Sequence, residues 1–123
     1  MKEITEDYVS YETAKLLKEK GFKGIGAHFY DTAGNFLHFD AWMLALPEEK
    51  YEFIEAPTLQ MSMKWLREVH HIFIQVELYS KYDDYCFELF QNTHRLILEK
   101  HETYNNYEEA SESAIKYVLE NLI

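Results

Sequence analysis

Residues 71–79 read HIFIQVELY, which is the clearest strand pattern in the chain. Ile72, Ile74, Val76 and Leu78 recur at every second position, so they share one face of an extended chain. Isoleucine and valine favour strands, because a β-branched side chain packs well on a pleated surface. The stretch therefore predicts a strand that buries one face against a core.

Two further strands are predicted after short polar turns at 80–84 and 91–93, with the third strand over 94–100. Short turns join antiparallel neighbours, whereas parallel strands need a long crossover, so the three strands predict an antiparallel meander. The side chains expected to point inward from the last two strands are Tyr85, Phe87, Leu89, Leu96 and Leu98.

A helix over residues 10–20 is predicted by the residues at its two ends. Ser10 suits the N-cap, where its hydroxyl accepts a hydrogen bond from the first turn. Gly21 suits the left-handed position after the last turn, and Phe22 then lies against Leu17. Both the start and the end of this helix are therefore predicted.

Two more helices are predicted, one before the meander in the sequence and one after it. Pro57 or Thr58 opens one of about 12 residues. Asn106 caps one of about 16 residues, with Glu109 completing a capping box. The apolar stripes expected to face the core are Leu59, Met63, Leu66 and His70 in the first helix, and Tyr107, Ala110, Ala114, Ile115, Val118 and Leu122 in the second.

A β-hairpin is predicted between the first two helices. Gly34 can take the left-handed position of a three-residue loop, and pairing Asp31 with Asn35 then places His28 opposite His38. The expected core face carries Ile25, Ala27, Phe29, Leu37, Phe39 and Ala41, and the mixed face carries Gly26, His28, Tyr30, Phe36, His38 and Asp40.

The elements follow the order α-β-β-α-β-β-β-α, with no element predicted over residues 44–57. A hairpin and a three-stranded meander packed by about three helices predict an α+β fold with an antiparallel sheet. The chain has 123 residues, two prolines, four glycines and no linker-like tract. It is therefore expected to form one domain over residues 1–123.

Composition excludes several classes of function. The formal net charge is −10, whereas a general phosphate-backbone binder needs a basic face. The single cysteine, Cys86, excludes an internal disulfide and fits a reducing compartment. No apolar run approaches the roughly 20 residues that span a bilayer, and the first residues lack a signal-peptide pattern. A cytoplasmic protein without membrane contact is expected.

Three stretches carry a family resemblance. Residues 8–22 read YVSYETAKLLKEKGF, residues 56–70 read APTLQMSMKWLREVH, and residues 107–123 begin with YEEA and end with NLI. They resemble short phage- or prophage-like proteins carried on mobile elements of gut bacteria. The three stretches coincide with the predicted helices. The resemblance therefore implies a shared fold and brings no assigned activity or catalytic residue.

The three strands with the last helix are also similar in topology to HicB-type antitoxin partial domains and to double-stranded-RNA-binding domains. Recognition of RNA by that route requires basic residues at the helix start. Glu108, Glu109 and Glu112 occupy that start instead. Direct nucleic-acid binding is therefore not expected.

His28, His38 and Asp40 form a candidate metal site on the mixed face of the hairpin. Two imidazoles and a carboxylate can ligate Zn²⁺ or Fe²⁺ and leave positions open for water. The arrangement depends on the register, because a slip of one residue moves side chains to the other face. The alternative interpretation is an amphipathic cross-strand pair beside Tyr30 and Phe36.

Apolar residues are also predicted on the second face of the meander: Phe73, Tyr79, Phe90 and Ile97. Such residues are unexpected on a sheet face that meets water. They either pack under other parts of the chain or form a homo-oligomer or partner surface.

No catalytic or cofactor-binding residue is predicted. Cys86 lies beside Glu88 in a strand, without the helix N-terminus or cation that lowers a thiol pKa. The sequence contains no GxSxG, Walker A or GxGxxG pattern. The leading hypothesis is a non-enzymatic accessory protein of a phage-like element that binds another protein. The alternatives are an acidic nucleic-acid mimic that inhibits a host DNA-binding or restriction protein, and a metal-binding module at His28, His38 and Asp40.

Overall fold

The computed structural model divides into two compact units, Met1–Thr58 and Leu59–Ile123. In the described part of the chain, each unit contains a three-stranded sheet of its own. The expectation of one domain over the whole chain stays a prediction. The residues that the structure describes are 2–24, 26–40, 43, 52–79, 84–92, 95–99 and 102–123.

The described elements confirm an α+β fold with antiparallel strand pairing. They follow the predicted order with one short strand added, and the hairpin and the meander belong to separate sheets. None of the described helices is long and apolar enough to cross a membrane. The helices are α1 (Tyr11–Glu19), α2 (Leu59–Val69) and α3 (Tyr107–Asn121), and the strands are β1 (His28–Tyr30), β2 (Phe36–His38), β3 (Ile54–Glu55), β4 (Ile72–Tyr79), β5 (Asp84–Gln91) and β6 (Arg95–Glu99).

Both predicted ends of α1 are confirmed. The Ser10 hydroxyl accepts a hydrogen bond from the backbone N–H of Thr13 at 3.2 Å. Gly21 has φ +89°, and the N–H of Phe22 donates to the carbonyl of Leu17 at 3.0 Å. These contacts provide hydrogen-bond partners for backbone N–H and C=O groups that have none within the helix, at its start and at its end.

The hairpin pairs in the predicted register, which places His28 opposite His38. The Asp31 carboxylate accepts hydrogen bonds from the backbone N–H groups of Ala33 and Asn35, each at 2.9 Å. An aspartate that bonds its own turn in this way holds the loop in one conformation. The turn chemistry therefore sets the register.

Strand β3 lies beside β1 and makes it the central strand, in the order β2-β1-β3. A strand of two residues is too short to show an alternating pattern, so the sequence did not predict it. Strand β2 is an edge, and Phe39 just beyond it is 41% exposed. The prediction of Phe39 as a core residue is therefore wrong.

The core of the second unit lies on one face of the meander. Helices α2 and α3 contact each other and both contact β4, so they lie on the same side of the sheet. Phe87 and Leu89 of the central strand are fully buried there, and the ring of Tyr85 lies 6.3 Å from that of Tyr107 in α3. The fully buried side chains that α3 adds to this core are Ala110, Ser111, Ala114, Ile115 and Val118.

Two residues predicted to point inward are exposed, Leu78 at 54% and Leu96 at 45%. Alternation assigns Leu78 to a face, but it does not say how far along the strand the helices cover that face. A bulge opposite Leu89 and Phe90 shifts the register of β6, so that Leu98 pairs with Leu89 while Leu96 pairs with Phe90. One inserted residue therefore moves the side chains on one side of the bulge to the opposite face of the sheet.

Candidate functional site

The second face of the meander is the side away from α2 and α3. Residues directly opposite each other on paired strands share a face, and successive residues alternate. Phe73 pairs with Phe90, while the buried Leu89 next to it belongs to the helix-covered face. The described residues that define the second face are Phe73, Gln75, Glu77 and Tyr79 in β4, Asp84, Cys86, Glu88 and Phe90 in β5, and Leu96 in β6.

An apolar row crosses all three strands on this face. Phe73 lies opposite Phe90, and Phe90 lies opposite Leu96. The two phenylalanines are half-buried and Leu96 is 45% exposed. Cross-strand neighbours of this kind lie with their Cβ atoms about 5 Å apart, so the three side chains can form one continuous apolar strip. We call these three residues the apolar row.

Tyr79 and Ile97 were also predicted on this face, and the structure places them differently from the apolar row. Tyr79 lies at the far end of β4, opposite Asp84, and is 41% exposed. Ile97 is the extra residue of the bulge, between the two residues that pair with Phe90 and Leu89. Its side chain lies outside the described part of the structure. The sequence did not assign Leu96 to the row, because no pattern in β6 marks the bulge.

The charged residues on the second face of β4 and β5 are acidic. Glu77 lies opposite Cys86, Glu88 lies opposite Gln75, and Asp84 lies opposite Tyr79. The sequence of these two strands contains no Lys or Arg. The face therefore combines the apolar row at one end with carboxylates along the rest.

Cys86 lies in the acidic part of this face and is poorly suited to nucleophilic chemistry. Burial raises the pKa of the Cys86 thiol, and the neighbouring carboxylates of Glu77 and Glu88 raise it further. A raised pKa keeps the sulfur in its thiol form at neutral pH, whereas the thiolate is the nucleophile. The position therefore favours a structural role.

We expect Cys86 to react slowly with iodoacetamide. At pH 8 the folded chain should be alkylated more slowly than the same chain unfolded in urea, because the raised pKa leaves less thiolate. The rate should continue to rise above pH 9, where an ordinary thiol is already mostly ionised. Glu77→Gln removes one carboxylate and should speed the reaction. Equal rates in the folded and unfolded chain at pH 8 would contradict this account.

The hairpin brings two of the three predicted metal ligands together. His38 Nδ1 lies 2.9 Å from His28 Nε2, within hydrogen-bond distance. The Asp40 side chain is exposed beyond the end of β2. In the described ranges, no group of three or more His, Cys, Asp or Glu side chains is arranged to hold a metal ion. The structure therefore forms a histidine pair and does not add Asp40 to it.

Aromatic rings hold His28 in place. Its imidazole stacks on Phe36 with a centroid distance of 5.2 Å and an angle of 8°, and Tyr8 lies 4.5 Å away. Burial lowers the pKa of His28, and the charge that His38 carries when protonated lowers it further. The His28 ring therefore belongs to a cluster with Phe36 and Tyr8, whose own rings lie 5.1 Å apart, and it favours its neutral form.

Sequence reasoning missed Tyr8, which contacts His28 of the histidine pair. Residue 8 forms a β-bridge with Thr58, and the N–H of Val9 donates to the carbonyl of Pro57 at 3.1 Å. The Tyr30 hydroxyl donates to the carbonyl of Val9 at 2.6 Å. These partners lie more than 20 residues away in the chain, and no local pattern reports a contact of that separation.

Comparison with known proteins adds no relative. No protein-family model matches the chain, and searches of the curated proteins and of the solved structures found no match. The resemblance to phage- or prophage-like proteins therefore stays a prediction.

Proposed function

We propose that the chain acts without catalysis, by binding another protein through the second face of its meander, as an accessory protein of a phage-like element. The observation that carries this proposal is the apolar row Phe73, Phe90 and Leu96, which lies on the sheet face away from the helices. Apolar side chains grouped on an exposed face are typical of protein-binding surfaces.

The charges around the row specify the chemistry of the partner. Glu77 and Glu88 lie on the same face, in strands that contain no basic residue. A matching surface presents an apolar or aromatic side chain to the row and lysine or arginine to the carboxylates. Complementary charge of this kind speeds the encounter of the two proteins and disfavours partners of the wrong charge.

The same charges disfavour a second copy of this chain as the occupant. A twofold dimer uses the same patch on both subunits. Two such faces stacked with their acidic parts together would bring carboxylates of one copy against carboxylates of the other, and like charges brought together oppose association. A basic partner is the better match for this surface.

The experiment compares four tagged versions of the full chain expressed in the native host. They are the unchanged chain, Leu96→Glu on the apolar row, Glu77→Lys on the acidic part, and the control Leu78→Glu. Leu78 is 54% exposed but points to the opposite face, so the control adds the same charge elsewhere. Co-purified proteins are identified by mass spectrometry, and the affinity of the purified partner is then measured for each version.

A partner that fits the proposal is retained by the unchanged chain and by Leu78→Glu. Its affinity falls about 10-fold or more in Leu96→Glu, the loss typical of a residue that is important for binding. Glu77→Lys should weaken binding and reduce its sensitivity to salt. Circular dichroism confirms that each variant is folded.

Three outcomes would overturn the proposal. Recovery of the chain alone, with sedimentation showing a dimer, would assign the face to self-association. A DNA-binding partner unaffected by Leu96→Glu and displaced by DNA would favour the acidic mimic. A partner whose affinity is the same for all four versions would place binding on another surface.

A further inference from the structure

The histidine pair has the geometry of two adjacent ligands of one metal ion. Zinc–nitrogen bonds are about 2.0–2.1 Å long, so two ligand nitrogens lie about 2.9 Å apart at a right angle and about 3.3 Å apart at a tetrahedral angle. His38 Nδ1 and His28 Nε2 are 2.9 Å apart. The hydrogen bond between the two nitrogens has to break, and both rings then rotate to turn their lone pairs towards a shared ion.

The backbone brings the two side chains close. The N–H of Asp31 donates to Asn35, and the N–H of Phe39 donates to Ala27. Hydrogen-bonded and non-hydrogen-bonded pairs alternate along an antiparallel ladder, so His28 and His38 form a non-hydrogen-bonded pair. Side chains of such a pair are closer than in the hydrogen-bonded kind, with Cα atoms about 4.5 Å apart.

The surroundings favour binding of an ion from solvent. Phe36 stacks on His28 and Tyr8 lies beside it, so little freedom of the His28 ring is lost on binding. The His38 side chain is exposed, which gives solvent access to the pair. Imidazole ligands suit zinc, nickel and copper better than magnesium or calcium, which prefer oxygen.

We infer that His28 Nε2 and His38 Nδ1 form a binding site for a divalent late transition-metal ion such as Zn²⁺ or Ni²⁺. Water completes the coordination, because no third protein ligand of the described residues converges on the pair. The ring that donates the shared hydrogen bond moves its proton to its other nitrogen, so the two neutral imidazoles bind without net proton release. This site shares no residue with the apolar row and does not depend on the proposed protein partner.

The test titrates the full chain with ZnCl₂ and with NiCl₂, using calorimetry for affinity and NMR for the histidine resonances. We expect one ion per chain, with the largest changes in the imidazole signals of His28 and His38. His38→Ala should lower the affinity about 10-fold or more, because a single imidazole ligand remains. His28→Phe keeps a ring against Phe36 and should cause a loss of similar size.

His71→Asn is the matched control, since His71 is exposed but lies outside the hairpin. Its φ is +58°, and asparagine tolerates that conformation better than most residues. The affinity of this control should equal that of the unchanged chain. Absence of saturable binding, or binding that survives both His38→Ala and His28→Phe, would overturn the inference. An equal loss of affinity in His71→Asn would do so as well.

Discussion

Phe87→Ala is expected to lower the free energy of unfolding by about 3–5 kcal/mol. Phe87 lies in the central strand of the meander and is fully buried. Its ring packs against Tyr104 with a centroid distance of 6.0 Å, and it lies opposite Val76. Truncation to alanine removes these apolar contacts and leaves a cavity in the core. Equilibrium urea unfolding followed by circular dichroism measures the loss.

Two further variants, Phe87→Leu and Leu96→Ala, keep this prediction testable if Phe87→Ala does not fold. Phe87→Leu retains most of the side-chain volume and should cost less than the alanine variant. Leu96→Ala changes a residue that is 45% exposed and should cost about 1 kcal/mol at most. Equal stability of Phe87→Ala and Leu96→Ala would show that Phe87 is not part of the core.

Leu17→Ala is expected to lower the free energy of unfolding by about 2–5 kcal/mol. Leu17 is fully buried in α1 of the first unit. Its carbonyl accepts the hydrogen bond from Phe22 that closes the helix, and the substitution leaves this backbone contact in place. The loss therefore reports side-chain packing, because alanine has no lower helix propensity than leucine.

Glu19→Ala is the matched control for this substitution, since Glu19 lies in the same helix and is exposed. It should change the stability by about 0.5 kcal/mol at most. A loss in Leu17→Ala no larger than that of Glu19→Ala would contradict the assignment of Leu17 to the core.

The two core variants together test the prediction of a single domain. Phe87 belongs to the second unit and Leu17 to the first. If the chain unfolds as one cooperative domain, each variant shifts a single transition that circular dichroism and tryptophan fluorescence report at the same urea concentration. Two separate transitions, each shifted by one variant only, would instead show that the units unfold independently.

Most of the fold could be predicted because its signals are local. The Asp31 turn places His28 opposite His38, so the five residues of the turn, 31–35, bring two of the three predicted metal ligands together. The Ser10 cap and the Gly21 ending define α1 within about one residue at each end. Each of these features requires chemistry at a short, fixed spacing, and that spacing is visible in the sequence.

The candidate sites needed more than local signals. Leu96 joins Phe90 in the apolar row through a bulge of one residue, and nothing in the alternation of β6 marks its position. Tyr8 reaches His28 through a bridge to Thr58, 50 positions along the chain. Such contacts depend on how distant segments meet.

The class of fold, the order of the main elements and the register of the hairpin could be predicted from the sequence, because caps, turns and alternation act between residues close along the chain. How far the apolar faces are covered depends on tertiary packing. Packing buries Phe87 while leaving Leu78 and Leu96 exposed, and it brings Phe36 and Tyr8 against His28. The reason is that burial depends on the distant elements that pack against a residue, and the local pattern of a strand does not contain that information.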